Sequence, residues 1–214
     1  MLPTLEHIRA ILDLPDFDAA GAQLKMAPFP RPVRRLAQRP GQARVGAVLL
    51  LLYARNSDIH LVLTRRRDDL PDHSGQIAFP GGKQEPNEPL ETTALREAQE
   101  EIGIQPDRVT ILGPLTPIYI PPSDFEVHPF VGWHTDTPDF SLQAGEVAEV
   151  LEVSLAHLLD PAARKLEQWE MRDLRMDVPF YEVNGHKVWG ATAIMLSEFL
   201  ERWRLRWEPG AALA

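Results

Sequence analysis

The stretch FPGGKQEPNEPLETTALREAQEEIGI, residues 79–104, decides how this chain is read. Gly81 and Gly82 have no Cβ, so the backbone there can adopt φ > 0 and lie close to a ligand or a neighbouring strand; a glycine turn is the expectation. Pro89 suits the first position of a helix, where a missing N–H costs nothing, and predicts a helix starting near Leu90. Leu90, Ala94, Leu95, Ala98 and Ile102 recur at spacings of three and four, which marks one packed face, and Gly103 offers a left-handed stop. Glu97, Glu100 and Glu101 stand at i, i+3 and i+4, within an arc of about 100° at 3.6 residues per turn. Like charges so placed repel, and a cation is the expected compensation. Hard oxygen donors on a firm element favour Mg²⁺ or Mn²⁺ over softer metals. Taken alone, the same run also fits a solvated acidic helix face.

The spacing around the helix separates those two readings. Gly82 is followed after five residues by Glu88, after seven more by Arg96-Glu97, then by Glu100-Glu101, Gly103 and the aliphatic Ile104. This pattern resembles the Nudix box. Seven fixed positions, each filled at roughly 7% in average composition, coincide by chance in such a chain on the order of once in a million. Ala98 stands where the box usually has a larger aliphatic residue. The resemblance implies a Mg²⁺-dependent hydrolase of a nucleoside diphosphate linked to another group. It implies Glu97, Glu100 and Glu101 as metal ligands, and Glu88 with Arg96 as a pair that positions the loop and helix.

Length and composition bound the rest. A chain of 214 residues holds one domain with extensions: an N-terminal helix and Pro/Arg-rich extension over residues 1–40, and a Nudix hydrolase domain over 41–214. With 44% hydrophobic and 25% charged residues the composition is that of a globular protein. The absence of cysteine excludes disulfides, thiolate nucleophiles and zinc–thiolate sites. The formal net charge of −9 argues against general nucleic-acid binding, which needs a basic footprint. No apolar run is long enough to span a bilayer and the N-terminus lacks a signal-peptide pattern, so the expectation is a cytoplasmic protein without a membrane partner. Monomer and homodimer are both compatible with the sequence.

Thr4 to Leu14 place Leu5, Ile8, Ile11 and Leu12 on one side of a short helix with Thr4 as its N-cap. Residues 28–40 carry four prolines and Arg31, Arg34, Arg35 and Arg39, an irregular linker bearing a basic patch. Ala43 to Tyr53 runs without polar alternation, as a central strand buried on both faces would. Asn56-Ser57-Asp58 is turn chemistry, and Ile59 to Thr64 returns as a second strand ending in Arg65, Arg66 and Arg67. These arginines, with Gly81 and Gly82, are the candidate substrate-binding residues, since groups beyond strand ends commonly mount binding sites. Strands follow over residues 109–120 and 127–134, and His128 and His134 read as structural or surface residues. Asn184-Gly185 between two β-prone runs predicts a type I′ hairpin. A helix from Gly190 buries Ile194, Leu196, Phe199, Leu200 and Trp203. Alternating strands and helices give an α/β fold, an α/β/α sandwich of Nudix type with a mixed β-sheet.

Two further resemblances bear on the site. Residues 146–153 are similar to the strand and its approach that precede the last core helix of Nudix proteins, making Glu146 and Glu149 candidates for a base or an extra metal ligand. Residues 61–66 and 75–82 resemble the second signature of Nudix coenzyme A pyrophosphatases, which release 3′,5′-ADP and 4′-phosphopantetheine. Thr64, Arg66, Gly75 and Phe79-Pro80-Gly81-Gly82 match it, while Arg67 replaces a usual Ser and Pro71 a usual Arg. The resemblance therefore implies a small-molecule nucleotide partner, coenzyme A first, with ADP-ribose, NADH or dinucleoside polyphosphates as alternatives. A Nudix-fold binding module without catalysis is the alternative of another class; it has no need of all three of Glu97, Glu100 and Glu101. Arg31, Arg34, Arg35, Arg65 and Arg67 are candidates for a 3′-phosphate, and Pro161 to Met176, with Met171 and Met176, for a lid over the pantetheine arm.

Overall fold

The computed structural model describes residues 2–30, 43–70, 75–171 and 174–207. Arg31, Arg34, Arg35, Arg39 and Pro71 lie outside these residues. Two short helices, α1 (Leu5–Leu12) and α2 (Ala19–Leu24), precede β1 (Arg44–Arg55). Leu49 to Tyr53 are all fully buried, as a strand covered on both faces requires. Asn56 and Ser57, both at positive φ, turn the chain into β2 (Asp58–Arg66), and Arg55 pairs with Asp58 across the two-residue loop. Then come β3 (Ile77–Ala78), β4 (Gly81–Lys83), α3 (Leu90–Ile102), β5 (Val109–Pro114), β6 (Ile118–Ile120), β7 (Phe125–His134), β8 (Val147–Ser154), α4 (Leu155–Leu159), β9 (Arg164–Met171), β10 (Leu174–Val183), β11 (His186–Val188) and α5 (Gly190–Trp207).

Eight strands form one mixed sheet along the order β3-β2-β1-β7-β5, with β4 and β6 pairing to β1 and β7, and β8 to β2. β1 and β7 run parallel and the other pairs antiparallel. Because side chains alternate along a strand, the run Leu49–Tyr53 feeds two cores at once. Leu49, Leu51 and Tyr53 pack with Ala94, Ala98 and Ile102 of α3, while Leu50 and Leu52 pack with Leu196, Phe199 and Leu200 of α5 and Ile8 and Ile11 of α1. The result is the expected α/β/α sandwich. No helix of the described residues is long and apolar enough to cross a membrane.

Thr4 caps α1 by accepting from the His7 backbone N–H at 3.3 Å, while His7 Nδ1 accepts from the Thr4 N–H at 3.2 Å. Helices α1 and α2 are tied to α5 by a buried ion pair. Glu198, fully buried, accepts from Arg202 Nε at 3.1 Å, Thr116 Oγ1 at 3.0 Å and Gln23 Nε2 at 2.8 Å. Arg202 in turn donates to the Leu12 carbonyl at 2.9 Å.

A second sheet, β11-β10-β9, corrects the expected lid. Pro161 to Met176 form a short 3₁₀ turn, β9 and the start of β10, and Met176 is buried within that sheet. Pairing from Met171 with Leu174 through to Arg164 with Tyr181 commits these backbone groups to a ladder in place of an irregular segment. Asn184 and Gly185, at φ of 49° and 81°, form the predicted hairpin turn into β11.

Candidate active site

The glycines do not make a turn. Gly81 and Gly82 lie in β4, paired with Val48 and Ala47 of β1. What they supply is close approach. A Cβ on Gly81 would stand 2.4 Å from the Ala47 carbonyl oxygen, and one on Gly82 would stand 2.4 Å from Glu97 Oε2. The chain turns afterwards, where the Glu88 N–H bonds to the Glu85 carbonyl and Asn87 takes a positive φ. Pro89 is likewise one place outside the helix: its ψ of 141° makes it the N-cap, and its carbonyl accepts the first helical bond from Thr93 N–H at 3.0 Å. Gly103 at φ 73° ends α3 as expected.

Between the turn and the helix, Glu88 and Arg96 form a two-point pair, Nε to Oε1 at 2.9 Å and Nη2 to Oε2 at 3.1 Å. Glu88 also accepts from the Thr93 hydroxyl at 2.7 Å and the Glu85 N–H at 3.2 Å. The Arg96 guanidinium foremost, then these donors, holds the Glu88 carboxyl down at about 2. Arg96 also donates to the Lys83 carbonyl at 3.1 Å, to Glu97 at 2.9 Å and to Glu100 at 3.3 Å. One guanidinium thus ties β4 to α3 and offsets part of the repulsion among the helix carboxylates.

The three helix carboxylates are not equally placed. Glu100 is the exposed one, its side chain 55% accessible, and its contact is with Arg96. Glu101 is buried and accepts the Gly81 backbone N–H at 3.3 Å. The reason is angular: on the helical wheel Glu101 falls about 20° from buried Ala94, whereas Glu100 lies about 120° away. Burial pushes the Glu101 carboxyl up to about 8, with Glu97 and Glu146 adding to the rise and Arg66 opposing it. Glu97 is raised chiefly by burial, against the pull of Arg96, with Glu100 and Glu146 contributing.

Glu146 therefore shares one electrostatic environment with Glu97 and Glu101, although 45 residues separate it from Glu101 in the chain. It enters just before β8 and meets Arg66 at 3.6 Å. Glu149 is engaged elsewhere, with Arg65 Nε at 3.4 Å and His186 Nε2 at 3.4 Å. A bulge explains the divergence: Arg65 pairs with Glu149 but Arg66 with Val147, so Ala148 is an extra residue on β8. The three arginines separate accordingly. Arg65 bonds both oxygens of Asp68 at 3.0 Å, and Arg67 holds Asp69 at 2.8 and 2.6 Å. Arg66 faces the carboxylate cluster. His128 rests on Glu126 and His134 on the Asp136 carbonyl, both at 2.8 Å.

Among the described residues, no three acidic or imidazole groups stand close enough to form a ready metal cage. The donor chemistry nevertheless fits a divalent ion. Glu97, Glu101 and Glu146 offer hard oxygens, the charge of Glu146 raises the cost of ionising Glu97 and Glu101, and a cation of high charge density would relieve that cost. Sequence reading missed Thr93, whose fully buried hydroxyl anchors Glu88. Its spacing from Glu88 carries no local signal, since the contact depends on the turn at Asn87.

A family model described as NUDIX domain matches residues 43–175. The chain is 33% identical over 175 residues to a protein named uncharacterized Nudix hydrolase NudL of Photorhabdus laumondii, covering 81% of this chain and 91% of that one. It is 40% identical over 116 residues to peroxisomal coenzyme A diphosphatase NUDT7 of Mus musculus, covering 54% of this chain and 49% of that protein. The crystal structure of a Nudix hydrolase from M. smegmatis, RenU, superposes with a TM-score of 0.52 over 80% of this chain and 90% of that one at 15% identity, a likeness of fold.

Proposed function

The chain belongs to the Nudix family, and we propose that it is a pyrophosphatase that hydrolyses the diphosphate bond of coenzyme A to 3′,5′-ADP and 4′-phosphopantetheine, with Mg²⁺ or Mn²⁺. The substrate rests on the match of Thr64, Arg66, Gly75 and residues 79–82 to the coenzyme A signature, and on the partial similarity to a coenzyme A diphosphatase. The observation that carries the site is the convergence of Glu97, Glu101, Glu146 and Arg66 at one end of the sheet.

In this reading Glu97, Glu100 and Glu101 hold the metal, and Glu146, not Glu149, is the extra ligand or base. A metal held there would neutralise the anhydride's charge and lower the pKa of the attacking water. Arg66, oriented by Glu146, donates charge-assisted hydrogen bonds to a phosphate oxygen and holds the diphosphate for in-line attack. Gly81 and Gly82 let substrate and carboxylates approach the backbone closely. Glu88 and Arg96 act at one remove: they fix β4 against α3 and so keep Glu97 and Glu101 in register with the phosphate. Where Glu146 accepts the proton of the water, Arg66 at 3.6 Å fixes the direction of its carboxylate.

The test is a steady-state comparison of coenzyme A, 3′-dephospho-coenzyme A, ADP-ribose, NADH and diadenosine polyphosphates with Mg²⁺, with products separated by chromatography. Coenzyme A is expected to give the highest kcat/KM. An equal or higher value for ADP-ribose would overturn the substrate assignment, and no turnover of any diphosphate would favour a binding module.

A further inference from the structure

A groove of about 510 Å³ opens between the end of β2 and the loop that enters β8. It is built from the neighbours of the site residues: Arg67 follows Arg66, and Val147 and Ala148 follow Glu146. Leu142, Ala144, Val147 and Ala148 form its apolar wall, and the bulge that turns Arg66 toward Glu146 also leaves Ala148 exposed there as the extra residue of β8. The charges at the rim are matched within the protein. Arg67 spends Nε and Nη2 on Asp69 and Nη1 on the Ala144 carbonyl at 2.5 Å, while Asp68 faces Arg65. A phosphate entering the groove would meet two carboxylates and a guanidinium already neutralised by one of them. An uncharged chain of methylenes and amides meets an apolar wall and carboxylate acceptors for its N–H groups, which is how small-molecule sites combine burial with orientation.

Resting on the coenzyme A reading above, we propose that this groove holds the pantetheine arm, with the phosphorylated nucleoside outside it, and that Ala148 is a specificity-determining residue. Filling the groove then weakens the arm and spares the nucleotide half.

The experiment compares the full-length protein with Ala148→Phe, which fills the groove, and Leu142→Asn, which removes part of its apolar wall. Coenzyme A turnover is measured with Mg²⁺, and binding of 4′-phosphopantetheine and of 3′,5′-ADP by calorimetry. The expected result is a KM for coenzyme A raised about tenfold in Ala148→Phe with kcat within about twofold, a similar loss of 4′-phosphopantetheine affinity, and 3′,5′-ADP binding unchanged, with Leu142→Asn showing the same pattern more weakly. An unchanged KM, or equal weakening of both halves, overturns the groove assignment even where coenzyme A is a good substrate. If the wild type does not turn over coenzyme A, the substrate reading fails by itself; the groove assignment then stands if 4′-phosphopantetheine binds the wild type and not Ala148→Phe, and falls if it binds both alike or neither.

Discussion

Gly81 donates its backbone N–H to Glu101 Oε2 at 3.3 Å, joining the glycine pair to a buried carboxyl in the last turn of α3. The bond orients Glu101, yet burial still lifts its pKa to about 8. A raised folded-state pKa means that this group's stabilising contribution is complete below the ordinary carboxylate range and is lost as pH rises through about 8. In chelator, the Tm of the wild type should therefore fall between about pH 5 and pH 8. Glu101→Gln, which cannot ionise, should show a flatter profile and lose turnover by orders of magnitude with Mg²⁺. Parallel Tm profiles, or near-normal turnover of the variant, would contradict this account.

Thr93 is fully buried and its hydroxyl donates to Glu88 at 2.7 Å. Thr93→Val keeps the shape and removes the donor, so a loss of about 1.5–3 kcal/mol is expected, as for hydrogen bonds to charged groups. Activity should fall with it, because Glu88 positions Arg96 and Arg96 positions β4. Thr93→Ser should restore both. Denaturant titration beside kcat measurement checks the pair, and a Ser variant no better than Val would point to packing as the cause.

Glu146 and Glu149 are three residues apart and occupy different environments. Glu146→Gln should cut kcat by at least about a hundredfold if it serves as base or ligand, and Glu149→Gln by much less. The reverse order would move the role to Glu149 and its partners Arg65 and His186.

Arg66→Lys replaces a planar two-point donor by a point charge, so KM should rise and kcat/KM fall. Arg67→Lys, whose guanidinium is taken up by Asp69 and the Ala144 carbonyl, serves as the comparison and should change kcat/KM less. Identical kinetics in wild type and Arg66→Lys would leave no phosphate-binding role for Arg66.

Away from the site, Arg202→Met should strand Glu198 without its cation and cost about 3–5 kcal/mol, the range for breaking one side of a buried pair. Because α1 and α2 hang on this pair through Leu12 and Gln23, their amides should exchange faster with solvent, while kcat measured below the unfolding transition stays near normal. Unaltered exchange in α1 would show that apolar packing alone holds the N-terminal helices.

How far the sequence reached depended on the range of the forces involved. The helix over Leu90–Ile102, its stop at Gly103, the buried run of β1 and the Asn184-Gly185 hairpin were all readable because each rests on periodicity or on backbone preferences within a few residues. The carboxylates of the box were readable for the same reason, as one helix carries them. Their environments were not. Glu101 is buried because β4 pairs with β1 and brings Gly81 against it, and no property of residues 97–101 encodes that approach. The same strand pairing turned an expected glycine turn into β4, and ladder bonds between β9 and β10 turned an expected lid into a sheet. Glu146 and Glu149 have equal claims in the sequence, and it is the bulge opposite Arg65 and Arg66 that sends one toward Glu97 and Glu101 and the other toward His186. Sequence by itself determined which donors the protein owns and which helix bears them; tertiary structure decided which of them meet, because burial and charge coupling act across space between segments that the chain keeps tens of residues apart.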